Sequence, residues 1–182
     1  MVDTTALTGT WALDPAHTRI GFSARHAMVT KVRGNFEEFE GIARIDAANP
    51  SNSSVEVTIQ TNSINTNNKM RDDHLRTNDF LEVETYPTIT FISTGVEQLD
   101  DETVRITGDL TIKETTKSVS IDFEFGGVAT DPFGNVRVGF EGSTSINRQD
   151  YGVAFNAALE TGGVLVSDKI GIDIEVAAIK QG

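Results

Sequence analysis

The chain has 182 residues, no cysteine, and 27 Asp plus Glu against 15 Lys plus Arg, a formal charge of −12 at pH 7. That length suits one domain, read as 1–182, with room for a sizeable core. Without Cys there are no disulfides, no thiol catalysis and no cysteine-held metal, and the acidic balance without a Lys/Arg stripe argues against nucleic acid and against docking on an anionic membrane surface.

The opening residues Met1-Val2-Asp3-Thr4-Thr5-Ala6-Leu7 carry an acid and hydroxyls where a secretory signal has a basic and then an apolar region. No stretch approaches the roughly 18 apolar residues of a membrane helix. The expectation is a cytoplasmic protein with no stable membrane insertion; a longer natural N-terminus would make a periplasmic or secreted location the expectation instead.

Gly9-Thr10-Trp11 opens the first strand, where Trp11 suits the role of a plug at one end of a β-structure. Over residues 18–26, Ile20, Phe22 and Ala24 alternate with Arg19, Ser23 and Arg25, the period of a half-buried strand. Asn49-Pro50-Ser51-Asn52 then reads as a turn, after which Val55, Val57 and Ile59 alternate with Glu56, Thr58 and Gln60. The rhythm breaks over residues 62–87. There Asn67 or Asn68 caps a helical turn that sets Met70 and His74 four residues apart on one side. Alternation returns with Val104, Ile106, Leu110 and Ile112, and again with Val119, Ile121, Phe123 and Phe125; Asp100-Asp101 and Asp131-Pro132-Phe133-Gly134-Asn135 supply turns. A second irregular stretch, 150–167, contains Gly152, Gly162 and Gly163. Ile170, Ile172, Ile174 and Val176 form the last alternating set.

One dry and one wet face per strand points to an all-β antiparallel fold, since strands of a parallel sheet read as continuous apolar runs. About eight or nine strands are expected. Long strands joined by short hairpins fit a closed barrel, with a sandwich as the alternative. The small residues Ala24, Gly41, Ala43, Gly108, Gly139 and Gly142 mark either a hollow or barrel bends.

The three histidines, His17, His26 and His74, match the ligand count of a catalytic zinc site, but residues nine apart on a regular strand face opposite ways, so His17 and His26 do not share a metal. Partly buried histidines hydrogen-bonded near strand ends are the better reading, and no metal site is assigned. Arg71-Asp72-Asp73-His74 with Arg76 offers acids, a base and cations for acid–base chemistry, yet no G-x-S-x-G elbow or thiol accompanies it, so a solvated helical turn is preferred. Arg71, His74 and Arg76 also suit the role of donors to a polar or phosphorylated head. Neither a dinucleotide fingerprint nor a phosphate loop is present, so no cofactor is expected and no catalytic residue is assigned. Of the ten phenylalanines, Phe36, Phe39 and Phe80, with Tyr86, fall at strand ends or in the long connection, where they would rim a cavity.

The sequence resembles the YceI-like family. The resemblance runs through Trp11-Ala12-Leu13-Asp14-Pro15-Ala16-His17-Thr18-Arg19-Ile20-Gly21-Phe22-Ser23-Ala24-Arg25-His26, Phe36-Glu37-Glu38-Phe39-Glu40-Gly41, Arg71-Asp72-Asp73-His74-Leu75, Asp79-Phe80-Leu81, Tyr86-Pro87-Thr88-Ile89-Thr90-Phe91, Gly108-Asp109-Leu110-Thr111-Ile112, Thr116-Lys117 and Asn147-Arg148-Gln149-Asp150-Tyr151-Gly152, in family order across nearly the whole chain. It implies an extended lipocalin-like antiparallel β-barrel of about eight strands, with a short helix in the long connection, holding a polyisoprenoid or other long-chain amphiphile without catalysis. Under that reading Phe22, Val57, Phe91, Phe123 and Phe140 contact the chain, Phe36, Phe39, Met70 and Phe80 help to form the site, and His26, Arg71 and His74 lie near the polar end. A long-chain isoprenoid or fatty amphiphile is thus the expected partner, and homodimerisation is compatible with the sequence. The alternatives are an enzyme acting on such a lipid through Asp72, Asp73 and His74, and a packed barrel serving as an interaction protein.

Overall fold

Three of the long strands are each broken in two. In the computed structural model, which describes residues 5–159 and 165–182, β1 (Gly9–Leu13) and β2 (Arg19–His26) flank a turn, β3 (Thr30–Phe36) and β4 (Phe39–Ile45) are parted by Glu37 and Glu38, and β5 (Ser54–Gln60) and β6 (Ile64–Asn65) by one 3-10 turn, Thr61–Ser63. Five unbroken strands follow: β7 (Thr88–Gln98), β8 (Thr103–Ile112), β9 (Thr115–Thr130), β10 (Val136–Asn147) and β11 (Lys169–Lys180). Residues 1–4, the start of the segment read for a signal, and Gly162 and Gly163 lie outside the described residues.

All pairings are antiparallel, and the order β1-β4-β5-β7-β8-β9-β10-β11 returns to β1 through Trp11 opposite Lys180 and Ala12 opposite Ile179. The other half of β11 pairs with β2, which leads on to β3 and β6. Each broken strand therefore occupies one ring position, giving eleven segments in eight positions of a closed barrel. Closure resolves the choice between sandwich and barrel in favour of the form that leaves no long free edge. The breaks account for the difference from the eight or nine strands expected: Glu37 and Glu38 interrupt alternation, so Phe36 on β3 and Phe39 on β4 both face inward although three residues apart.

The long connection folds into α1 (Lys69–Leu75), whose cap is Asn68: its side chain accepts a hydrogen bond from the Arg71 backbone N–H at 3.0 Å. This helix, the β2–β3 hairpin and the described residues of the 148–168 connection gather at one end of the barrel. At the other end Trp11 is fully buried with Leu7, Val138 and Ala178, and its indole N–H donates to the Leu7 carbonyl at 2.8 Å. A larger core cluster, including Ile20, Ile59, Phe80, Ile112 and Tyr151, occupies the helix end.

Candidate functional site

Eight ring positions are barely wide enough for an interior that side chains do not fill, so the presence of a hollow needs a local cause. The cause lies in the register. Phe22 stands directly opposite Gly34, and Phe123 directly opposite Gly142. A Cβ built on Gly34 would meet the Phe22 ring at 2.6 Å, one on Gly142 the Phe123 ring at 2.7 Å, and one on Gly108 the Phe91 ring at 2.5 Å. These rings lie down on bare backbone of the neighbouring strand instead of crossing the lumen. The result is a cavity of about 1270 Å³, above the roughly 300–1,000 Å³ usual for small-molecule sites.

Its walls are apolar along their length, with Ile20, Val57, Ile121 and Phe140 among them, and it reaches from Trp11 to the helix end. Both ends of the lining are polar: Arg25 at the rim with His26, Arg71 and His74 at the helix end, and Asp46, Gln98, Asp100 and Glu102 at the other. The His74 Nε2–H donates to the Asp79 carboxylate at 2.8 Å, and its ring meets Phe80 and Phe155 edge-on at centroid distances of 5.0 and 5.1 Å. Phe80 and Phe155 touch at 5.2 Å, completing a three-ring cluster on the cavity wall.

Of the residues expected from sequence, Phe22, His26, Phe36, Val57, Met70, Arg71, His74, Phe80, Phe91, Phe123 and Phe140 all line this cavity. Phe39 does not. It pairs with Ile59 at the start of β4 and is buried in the core cluster rather than on the cavity wall. Tyr86 is likewise no rim residue: its hydroxyl donates to Glu114 at 2.7 Å, away from the cavity, and that bond, followed by burial, raises its pKa to about 12. Met70 lines the mouth but is largely exposed.

The acid–base cluster does not converge. Asp72 is buried and accepts from the Thr66 backbone N–H at 2.9 Å and from the Thr66 hydroxyl at 2.5 Å, while Arg71 donates through Nε to the same hydroxyl at 2.7 Å and through Nη2 to the Thr66 carbonyl at 2.8 Å. Asp73 points outward to Lys69 and Arg76, which hold its carboxyl below the ordinary value, Lys69 foremost. His74 turns to Asp79. Three neighbouring residues thus serve three separate partners.

The histidines expected to be partly buried are instead exposed at all three positions. His17 bonds Asp14 at 2.6 Å, and among the described residues no group of three His, Asp or Glu is arranged to hold a metal. Asp14 belongs to a different construction. Arg137 bridges it at 2.6 Å and Asp131 at 2.7 Å, tying the β1–β2 turn to the β9–β10 turn. The Arg137 guanidinium, with help from the Asn135 amide groups, holds the Asp131 carboxyl down from 3.8 to about 2 despite partial desolvation.

At the helix end, Arg148 and Phe155 carry more structure than sequence reasoning assigned them. Arg148, only 4% exposed, donates to four backbone carbonyls: Nε to Ser167 at 2.9 Å, Nη1 to Val153 at 2.6 Å and Phe155 at 2.8 Å, and Nη2 to Val166 at 3.3 Å. It thereby fixes the connection that carries Phe155 to His74. A buried Arg in an otherwise polar motif has no periodicity signal. Its only trace in the sequence is the arginine of Asn147-Arg148-Gln149-Asp150-Tyr151-Gly152.

Comparison with known proteins agrees with this architecture. The YceI-like domain matches residues 11–178. A UPF0312 protein of Staphylococcus aureus is 37% identical over 161 residues, covering 88% of this chain and 91% of that protein. Among solved structures, the Campylobacter jejuni YCEI protein superposes with a TM-score of 0.75 at 36% identity, covering 93% of this chain and 97% of that one. A polyisoprenoid binding domain from Saccharophagus degradans gives a TM-score of 0.71 over 94% of this chain and 98% of that one, and at 14% identity that likeness shows the shared fold alone. The matched domain, the sequence relative and the closed eight-position barrel together make this chain a member of the YceI-like family.

Proposed function

We propose that this protein is a non-enzymatic carrier or store for a polyisoprenoid or comparable long-chain amphiphile held inside the barrel. The observation that carries the reading is the continuous apolar cavity of about 1270 Å³, kept open by rings seated on glycines. Burying each CH₂ of a long chain in such an interior is favourable by about 0.8 kcal/mol, so a chain of many methylenes needs few polar contacts. The fold likeness to a protein described as a polyisoprenoid binding domain supports the same class of ligand. In this reading Phe22, Val57, Phe91, Phe123 and Phe140 contact the chain, and His26, Arg71 and His74 face its polar end. Carriage is preferred to chemistry because Asp72, Asp73 and His74 are each engaged by a different partner.

Native mass spectrometry of the purified protein, followed by solvent extraction, tests the proposal. A stoichiometric long-chain amphiphile is the expected release. An empty protein that also ignores added polyprenols and fatty acids would overturn it. The lining assignment has its own test: a folded Phe123→Glu/Phe140→Glu variant should lose the ligand, and full retention would remove those two residues from the wall.

A further inference from the structure

We infer that the β2–β3 hairpin is a docking element by which the helix end of the barrel seats on an anionic lipid bilayer. The net charge of −12 opposes such a surface only if the charge is evenly spread, and it is not. Although 27 of 182 residues are acidic, none lies between Asp14 and Glu37, a stretch holding Arg19, Arg25, Lys31 and Arg33. Arg19 is committed to Asp173. Arg25, Lys31 and Arg33 have no carboxylate partner among the described residues, whereas the cations of β8 and β10, Arg105 and Arg137, are paired.

Register sharpens the point. Arg25 stands directly opposite Lys31, and Ser23 opposite Arg33, so the three cations share one side of the hairpin, with Arg25 at its end on the rim of the cavity. Like charges placed directly across a ladder are destabilising, so stability of the free protein does not account for them. At the tip, Met28 and Val29 are 63% and 75% exposed, and Ala27 and Met28 hold φ of +51° and +62°, a left-handed conformation disfavoured for side chains of this kind. Met70, 83% exposed, adds an apolar side chain from α1 at the same mouth. An apolar tip within a basic collar is the pattern of a bilayer-seated surface: the collar meets the anionic headgroups and the tip enters the boundary below them. The far end offers the contrast. Its exposed Phe133 rides on a turn organised by the Asp131 carboxylate. Docking would place the cavity mouth on the surface from which a lipid is drawn. It extends the carrier reading, but its test needs no lipid inside the barrel.

The test is co-sedimentation of the full chain with vesicles of phosphatidylcholine alone and of phosphatidylcholine mixed with phosphatidylglycerol, at low and high salt. Binding is expected only to the anionic vesicles and should weaken with salt. Arg25→Gln/Lys31→Gln/Arg33→Gln should weaken it about a hundredfold, each cation near the surface contributing roughly a fivefold factor. Met28→Ser/Val29→Ser should weaken it separately, and Arg44→Gln, at the far end, should leave it unchanged. The triple variant relieves charge repulsion, so its thermal midpoint should match or exceed that of the parent, which separates lost docking from lost folding. No binding by the parent, equal binding by the triple variant, or association only with an acidic protein would overturn the inference. A parent that docks yet releases no lipid on extraction and ignores added polyprenols and fatty acids would defeat the carrier reading and leave this one standing.

Discussion

The hollow depends on glycine placement, and Gly142→Ala tests that dependence. A methyl at residue 142 would lie 2.7 Å from Cδ1 and 2.9 Å from Cε1 of Phe123, and 3.0 Å from the Asp122 carbonyl oxygen. Comfortable carbon–carbon contact begins near 3.5 Å, so the ring has to retreat by about 1 Å. The only free direction is into the lumen. Because that space is open, the strain should fall at the low end of the usual range for overpacking, about 1–2 kcal/mol, partly offset by the ~0.4–1 kcal/mol that Gly→Ala gains through the unfolded chain. Binding should suffer more visibly: displacing one or two methylenes of ligand from the wall forfeits about 0.8 kcal/mol each, close to tenfold in affinity. Urea denaturation and titration with fatty acids of increasing chain length, each performed on parent and Phe123→Ala backgrounds, measure both effects. In the Phe123→Ala background the methyl meets no ring and keeps only its 3.0 Å contact with the Asp122 carbonyl oxygen, so most of its cost should vanish. An equal cost in both backgrounds, or undiminished affinity in the single variant, would refute the idea that Gly142 makes room for Phe123.

Other outcomes follow from the two arginine centres. The Asp131 carboxyl, held at about 2 against an ordinary 3.8, contributes stability that is fully present above the ordinary value and lost as pH falls through the folded one. Arg137→Gln should therefore lower the urea midpoint at neutral pH, and the gap to the parent should close near pH 2; a gap independent of pH would refute this assignment. Arg148→Met leaves four carbonyls without their guanidinium donor, which should cost about 3–5 kcal/mol, or free the connection locally. Hydrogen exchange resolves the alternatives: amides of Val153 and Val166 should lose protection first, and unchanged exchange there would show that Arg148 does not hold the segment.

Much of the fold was legible because period-two alternation survives wherever a wall has one dry face. That rule alone places Phe22, Val57 and Phe123 on the inner side, and all three line the cavity. The breaks were not legible. Glu37 and Glu38 shift the alternation so that Phe36 and Phe39 both turn inward, yet only Phe36 reaches the cavity, since Phe39 is spent on packing against Ile59. Arg148 and Phe155 were missed for a related reason. They lie in an irregular connection, where side-chain direction follows from hydrogen bonds to Val153, Phe155, Val166 and Ser167 rather than from any period.

Whether the interior is hollow was the hardest question to read from sequence, and the reason is physical. Alternation places a Phe on the inner face but does not say whether its ring crosses the lumen or lies against the wall. That depends on the residue beside it on the next strand, and hence on register, which becomes known only once the strands are paired. From sequence alone, Gly108 and Gly142 are equally compatible with bends. Yet Gly34 and Gly142 sit directly opposite Phe22 and Phe123 in unshifted stretches of ladder, and Gly108 lies under Phe91. One register shift falls elsewhere, at Gly139/Phe140; the other, at Ser93/Gly95, lies beside Gly108, whose ladder partner is Ser93. The small residues therefore divide by role: Gly139 accompanies curvature, Gly34 and Gly142 accommodate rings and so keep the lumen clear, and Gly108, under Phe91 and beside the shift at Gly95, does both. Substituting Gly34 or Gly142 should shrink the cavity without opening the barrel, and substituting Gly139 should do the reverse.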